Sequence, residues 1–436
     1  MPDSAPRPAL PEGPFLVVGL ARSGQAAALA LAERGERVVG VDSGSPDGAA
    51  RLRGSGVEII LDGDGVEEVE RARCVVKSPG VPAEAQVIAA ARERGLPVIG
   101  ELELAWRMLP NRFCAVTGTN GKTTVAELLG HLWRTAGEPV AVAGNVGRPL
   151  ASLAGRVEPA TTVICEASSF QLEDAAAFRP ECGVLLNVAA DHLDRHPSFE
   201  DYRAAKLRLF ANQTEADVAI YNGADPGLAG VEIGGRGRKV DFSSRVGELE
   251  FSLPGPHNAA NAAAAAAAAA AMGIDPEPIA EGLRSFPGVA HRLERVAEID
   301  GVLYVNDSKA TNVAAAVAAL RSFDGGVRAI LGGSLKGAGF AELAEPVAER
   351  CVACYLIGEA ADRIERELEP AWEAGVARWR SDGLAEAVRA AAAEAEPGEV
   401  VLLSPACASF DAYTDFEQRG EHFRTLVAEL TTREND

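Results

Sequence analysis

The segment Gly118-Thr119-Asn120-Gly121-Lys122-Thr123-Thr124 lies between the apolar run FCAVT and an amphipathic stretch beginning VAELLG. A glycine-rich turn from strand to helix lets successive backbone N–H groups form a nest, and the helix N-terminus adds partial positive charge. In such a nest Lys122 would reach the outer phosphates of a nucleotide, and the Thr123 hydroxyl would meet Mg²⁺. The commonest phosphate loop has four residues between its first glycine and the Gly-Lys pair, whereas only Thr119 and Asn120 stand there in this chain. The bland alternative is a βα turn with an incidental lysine.

Other polar residues sit where strands should end. ICEASSFQLE places Glu166 just beyond an apolar run, where a carboxylate could hold a metal beside bound phosphates. In NVAADHLDRHPSFEDYRAAK, Asp191, His192, Asp194 and His196 have metal-ligand chemistry, but their spacing fits no zinc pattern, and Lys206 reads as a solvated helix lysine. GPHNAAN puts Asn258 and Asn261 at a helix start, either as caps or as amides for a base edge. VNDSKATN sets Asp307, Ser308, Lys309 and Thr311 directly after a strand, and SPACASFDAYTDFEQRG opens from another. The turn GLARSG followed by Asp42 matches a dinucleotide fingerprint except that Ala21 replaces its middle glycine. A nicotinamide cofactor, a differently bound nucleotide diphosphate and a purely structural turn all remain open there.

These residues need a scaffold, and the apolar pattern supplies one. FLVVGL, VVGVDS, VEIIL, CVVKSPG and LPVIG alternate with helical stretches, then FCAVTG, TTVICEASS and CGVLLNV, then LYVNDS, VRAILGG, VACYLIG and VVLLSP. This rhythm predicts an α/β chain of parallel sheets wrapped by helices. The Ala-rich run after GPHNAAN predicts a helix stopped by Gly273. A length of 436 residues predicts two or three domains, with a boundary at Leu109-Pro110-Asn111. A net charge of −21 argues against a nucleic-acid partner, and no run is apolar enough to insert in a membrane. The Pro-rich start, MPDSAPRPALPEGP, reads as a flexible leader without a signal-peptide core. Seven scattered cysteines suit reduced thiols in the cytoplasm. Of these, Cys351 and Cys354 lie in a strand whose period of two puts them on opposite faces.

Taken together, TGTNGKTT, EASSFQLE, NVAADHLDRHP, YRAAK, HNAAN, AHRLE, NDSKATN, LGGSLKG and SPACASFDAYTDFEQRG resemble the Mur ligases, ATP-dependent amide-forming enzymes. The resemblance spans residues 19–420, and in that superfamily the shorter loop binds ATP. It implies a Rossmann-like UDP-substrate domain (1–109), a central P-loop ATPase domain (110–293) and a Rossmann-like C-terminal domain (294–436). NDSKATN together with SPACASFDAYTDFEQRG resembles most closely the members that add D-glutamate to UDP-N-acetylmuramoyl-L-alanine (UDP-MurNAc-L-Ala). A cytoplasmic monomer is then expected.

The resemblance implies roles residue by residue. Gly118 through Thr124 would hold ATP, with Asn258 and Asn261 at adenine, Asp307 at ribose, and Lys309 and Arg292 near the phosphates. Thr123, Glu166, His192 and Lys206 (as a carbamate) would hold two Mg²⁺ ions. Ser23, Asp42, Ser43, Ser78 and Gly80 would bind the uridine diphosphate, and Asn145 the muramoyl part. Thr311, Lys336, Ser409, Phe410 and Phe416 would receive D-glutamate. Phe410 stands where the family has leucine, and Arg22 stands where it has an apolar residue, a cation for the pyrophosphate. The competing expectations are a sister ligase with another amino acid or a folate, a nucleotide-binding regulator, and a nicotinamide-dependent oxidoreductase.

Overall fold

The computed structural model describes residues 7–191, 195–253, 255–335 and 339–432. Among them seventeen strands form three sheets, carried by two compact units, Met1–Phe286 and Pro287–Asp436. The first unit holds two parallel sheets. One comprises β1 (Phe15–Val18), β2 (Val38–Asp42), β3 (Glu58–Leu61), β4 (Cys74–Lys77) and β5 (Val98–Gly100), in the order β3-β2-β1-β4-β5. The other comprises β6 (Phe113–Thr117), β7 (Val140–Gly144), β8 (Thr162–Glu166), β9 (Cys182–Leu185), β10 (Val218–Tyr221) and β11 (Arg238–Asp241). Its order is β11-β10-β9-β6-β8-β7, so the chain leaves β6 toward one side and returns to the other. That reversal makes the carboxyl end of β6 a switch point, where open α/β sheets bind ligands.

Full burial explains why β1, β4, β6, β8 and β9 read as continuous apolar runs rather than alternating ones. The two sheets share one apolar core, in which Trp106 and Phe113 meet Phe178 edge-on at 5.9 and 6.2 Å. The Ala-rich segment forms the helix Pro256–Met272, stopped as expected by Gly273 at φ +98°. Its small side chains let it lie against the helix Lys122–Thr135 behind the phosphate loop.

The second unit contains β12 (Glu294–Ile299), β13 (Val302–Asn306), β14 (Val327–Gly332), β15 (Cys351–Ile357), β16 (Ala377–Arg380) and β17 (Val400–Leu403). They are ordered β12-β13-β17-β14-β15-β16 and are parallel except for the antiparallel β12–β13 pair.

Two expectations fail for physical reasons. The leader is docked from Arg7 onward: its guanidinium donates to the Trp106 carbonyl at 2.7 Å, also donates to Asn111, and covers the Trp106 ring at 4.9 Å. Proline-rich composition conceals a single arginine able to satisfy carbonyls in the last turn of the helix Glu101–Met108 and just beyond it. The Cys351 and Cys354 thiols belong to the same core face, not opposite ones. A register shift between Val327 and Arg328 against β15 leaves Val352 as an extra residue, which resets the alternation.

Candidate active site

The phosphate loop is built where β6 meets the helix Lys122–Thr135. Gly118 has φ +156° and Gly121 φ +84°; a Cβ on Gly121 would lie 2.5 Å from Asn261 Oδ1. Only glycine fits this curl with Asn261 against it. Asn187, just past β9, fixes the loop from the other side. Its carbonyl accepts from the Thr119 amide at 3.0 Å, and its Oδ1 accepts from the Asn120 amide at 2.9 Å.

Two lysines converge on this loop. Lys122 Nζ donates to the Gly118 and Thr119 carbonyls at 2.9 Å, and Lys206 Nζ donates to the same Gly118 carbonyl at 2.9 Å. Lys206 comes from the helix Phe199–Ala211, is 1% exposed and lies 4.3 Å from the centre of the Tyr202 ring. Burial first, and Lys122 second, push its ammonium down to about 7, against the opposing pull of Asp191. The solvated lysine expected from the motif alone is thus a buried amine. Tyr202 completes the enclosure, its hydroxyl 3.1 Å from Thr119 Oγ1.

Glu166 ends β8 beside Val116 of β6 and is buried. Asn145 donates to its Oε1 at 3.0 Å, and the Asn145 amide donates to its carbonyl at 2.9 Å. Behind it, Ser168 and Gln171 form a capping box that starts the helix Ser169–Glu173. His196 packs into this corner, its Nε2 3.0 Å from Ser169 Oγ and its ring stacked on Phe170. Asn258 and Asn261 lie together, joined by a 3.5 Å contact. His192 and Asp194 fall outside the described residues, among which no group of three or more metal-ligating acidic, His or Cys side chains assembles.

The predicted uridine-diphosphate residues do line one cleft of about 620 Å³. Ser23, Asp42, Ser43, Ser78, Gly80 and Asn145 border it, together with Arg22 and Gln171. Asp42 accepts from the Leu20 amide at 2.6 Å and the Gly44 amide at 2.9 Å, so its carboxylate shapes the turn. A Cβ on Gly24 would stand 1.8 Å from the Gly19 carbonyl, which also accepts from Ser78 Oγ at 2.6 Å. Among the described lining residues Arg22 is the one cation.

In the second unit, Asp307 follows β13 and is 4% exposed. It accepts from the Leu293 amide at 3.1 Å and Ser404 Oγ at 2.8 Å; burial pushes its carboxyl up to about 7, opposed by these donors and by Arg292 and Lys309. Lys309 Nζ lies 6.0 Å from the centre of the Phe416 ring, Thr311 donates its amide to the Lys309 carbonyl, and Ser409 is buried. Phe410 is 69% exposed, and Lys336 lies outside the described residues. Sequence reasoning missed Arg419, which is 1% exposed. Its guanidinium donates to Ser308 Oγ and O and to the Cys407 and Ala408 carbonyls, all at 2.9–3.1 Å. It ties the loop after β13 to the loop after β17; the FEQRG string contained it, but no spacing rule marks a buried arginine.

In the first unit, a strand-to-helix nest, two converging lysines and an acidic strand end make an arrangement suited to nucleotide phosphates. The donor set fits a magnesium nucleotide: glycines where a Cβ would clash, a lysine, a helix-start hydroxyl and a buried carboxylate. Comparison with known proteins gives the class. Residues 14–100, 116–234 and 291–407 match the family models for the Mur ligase MurD-like N-terminal domain, the Mur ligase middle domain and the Mur ligase glutamate ligase domain. The chain belongs to the Mur ligase family, an ATP-dependent ligase family. A protein of Pelotomaculum thermopropionicum named UDP-N-acetylmuramoylalanine--D-glutamate ligase is 43% identical, covering 95% of this chain and 97% of its own. A Salinibacter ruber protein of the same name is 42% identical over 95% and 97%. Among solved structures, the UDP-N-acetylmuramate-alanine ligase of Thermotoga maritima shares the fold at TM-score 0.59, with 19% identity over 96% of this chain and 99% of that one.

Proposed function

We propose that this chain joins D-glutamate to the L-alanine carboxylate of UDP-MurNAc-L-Ala at the expense of ATP, a step of peptidoglycan precursor synthesis. The supporting observation is the placement of Lys122, Lys206 and Glu166 around the ends of β6 and β8, in a chain whose near-full-length relatives carry that ligase name. In the reaction the alanine carboxylate attacks the terminal phosphorus of ATP, forming an acyl phosphate and releasing ADP. The glutamate amine then attacks the acyl carbon, and phosphate departs as the amide forms.

The protein's share is placement and charge. Lys122 and the Gly118–Thr124 amides hold the phosphates; Asn258 and Asn261 contact adenine, and Asp307, Lys309 and Arg292 serve the ribose and phosphate end. Thr123, Glu166, His192 and carbamylated Lys206 would hold magnesium at two sites, and the bound ions supply neutralisation of the gathering phosphate charge. Near pH 7 a substantial fraction of Lys206 is the free amine, the form that adds carbon dioxide and releases one proton to become a carbamate. The product carries a carboxylate-like head suited to a metal. Ser23, Asp42, Ser43, Ser78, Gly80 and Asn145 receive the UDP-substrate. Arg22 meets its pyrophosphate, while Thr311, Lys336, Ser409, Phe410 and Phe416 frame D-glutamate.

A heavy oxygen isotope placed in the alanine carboxylate tests the chemistry: one labelled oxygen should leave in the released phosphate. Unlabelled phosphate alongside amide product would contradict the acyl phosphate.

A further inference from the structure

The cleft wall beside Ser78 is held from outside its own sheet. β4 ends in Lys77, which is 0% exposed; its ammonium lies 2.8 Å from the Asp174 carboxylate and donates to the Val81 carbonyl at 2.9 Å. Asp174 terminates the helix Ser169–Glu173, the helix that follows Glu166. Arg195 donates to the carbonyls of Pro79 at 3.2 Å and Val81 at 2.8 Å, with a longer 3.4 Å contact to Gly80. Its guanidinium rests on the Phe170 ring, 4.9 Å from the centroid. Pro79, Gly80 and Val81 border the cleft, and so does Gln171 from the helix. From Phe170 the packing continues through His196 to Tyr202 and thence to Thr119 of the phosphate loop.

Desolvation offsets much of the attraction in a buried ion pair, so stability alone does not account for charges at this junction. The bonds from Lys77 and Arg195 to the rim carbonyls are directional and fix geometry, and the Asp174 carboxylate holds the Lys77 ammonium as an ion pair. We infer that Lys77, Asp174 and Arg195 are positioning residues that clamp the Pro79–Val81 rim to the helix following Glu166. The UDP end of the substrate is thereby kept in register with the phosphate-transfer residues. This rests on the reading of the cleft as the UDP-substrate site.

Arg195→Ala, Asp174→Asn and Lys77→Met in the full chain test it, with KM for UDP-MurNAc-L-Ala and for ATP measured separately. Small misplacements of a bound substrate are costly, so KM for the UDP-substrate should rise about tenfold, with KM for ATP changed less than about twofold. Arg195→Lys, which keeps the cation, should recover most of the loss. Should the two buried variants not fold, the partly exposed Arg195 position still decides. Equal rises in both KM values, or a lowered melting temperature with unchanged KM, would overturn the clamp. Calorimetric titration of the wild type with UDP-MurNAc-L-Ala separates the two layers. Absence of binding overturns the cleft assignment and the clamp together, whereas tight binding by wild type and variants alike overturns the clamp alone.

Discussion

Lys206 shows how much a residue's chemistry depends on its surroundings. In sequence it is one helix lysine among 42 basic residues; in the fold it shares the Gly118 carbonyl with Lys122 and is buried. The unfolded amine holds its proton to about 10.5, whereas the folded one releases it near 7, so between those values the unfolded chain binds more protons. Stability from this site therefore rises with pH from about 7 to about 10.5, and the burial penalty is fully present below 7. In buffer free of carbon dioxide, Lys206→Met should flatten that rise in a denaturation series; an unchanged slope would refute the assignment. Lys206→Ala should lose most activity and regain part of it with added short-chain carboxylic acids. Lys122→Ala should lower kcat at least about 100-fold, as removal of a charge-stabilising donor does. Arg22→Ala should raise KM for the UDP-substrate about tenfold through loss of a charge-assisted hydrogen bond. The motif types at this scale were legible in the sequence. Burial was not, because burying Lys206 depends on Tyr202 and on a carbonyl 88 residues away.

Most elements with continuous apolar runs were legible. β1, β4, β6, β8, β9, β14, β15 and β17 all lie in runs read as strands. The polar edge strands β11 and β16 escaped, since Arg238–Asp241 and Ala377–Arg380 present few apolar residues, and so did β12 and the short apolar strands β7 and β10. The bulge in β15 escaped as well, because its cause lies in the pairing with β14. Two close approaches make element-scale predictions. Gly24→Ala places a methyl against the Gly19 carbonyl and should destabilise the first unit by about 1–3 kcal/mol, the usual cost of overpacking, and weaken UDP-substrate binding. Arg419→Met removes the guanidinium donor from the Ser308 and Cys407 carbonyls, while the Ala408 carbonyl keeps the Ser334 amide at 2.9 Å. With each lost donor to a buried carbonyl costing about 1–3 kcal/mol, the second unit should lose at least about 2 kcal/mol in urea unfolding. Loss below 1 kcal/mol would mean the two loops are held by something else.

At the scale of the molecule, 63 acidic against 42 basic residues must accommodate anionic substrates. The fold does so locally: glycine-shaped backbone nests, Lys122 at the phosphate loop, Arg22 in the cleft, and Lys309 with Arg292 near Asp307. Family and reaction type were readable because these groups come from contiguous strings at strand ends. The proposed amino-acid pocket was less so, since Phe410 is exposed and Lys336 lies outside the described residues. The decisive measurement is phosphate release from MgATP and UDP-MurNAc-L-Ala across D-glutamate, L-glutamate, L-lysine, meso-diaminopimelate and L-alanine, with the product weighed by mass spectrometry. The account predicts release and a new amide with D-glutamate alone. Amide formation with a different amino acid, or none with any while ATP still binds, would contradict it.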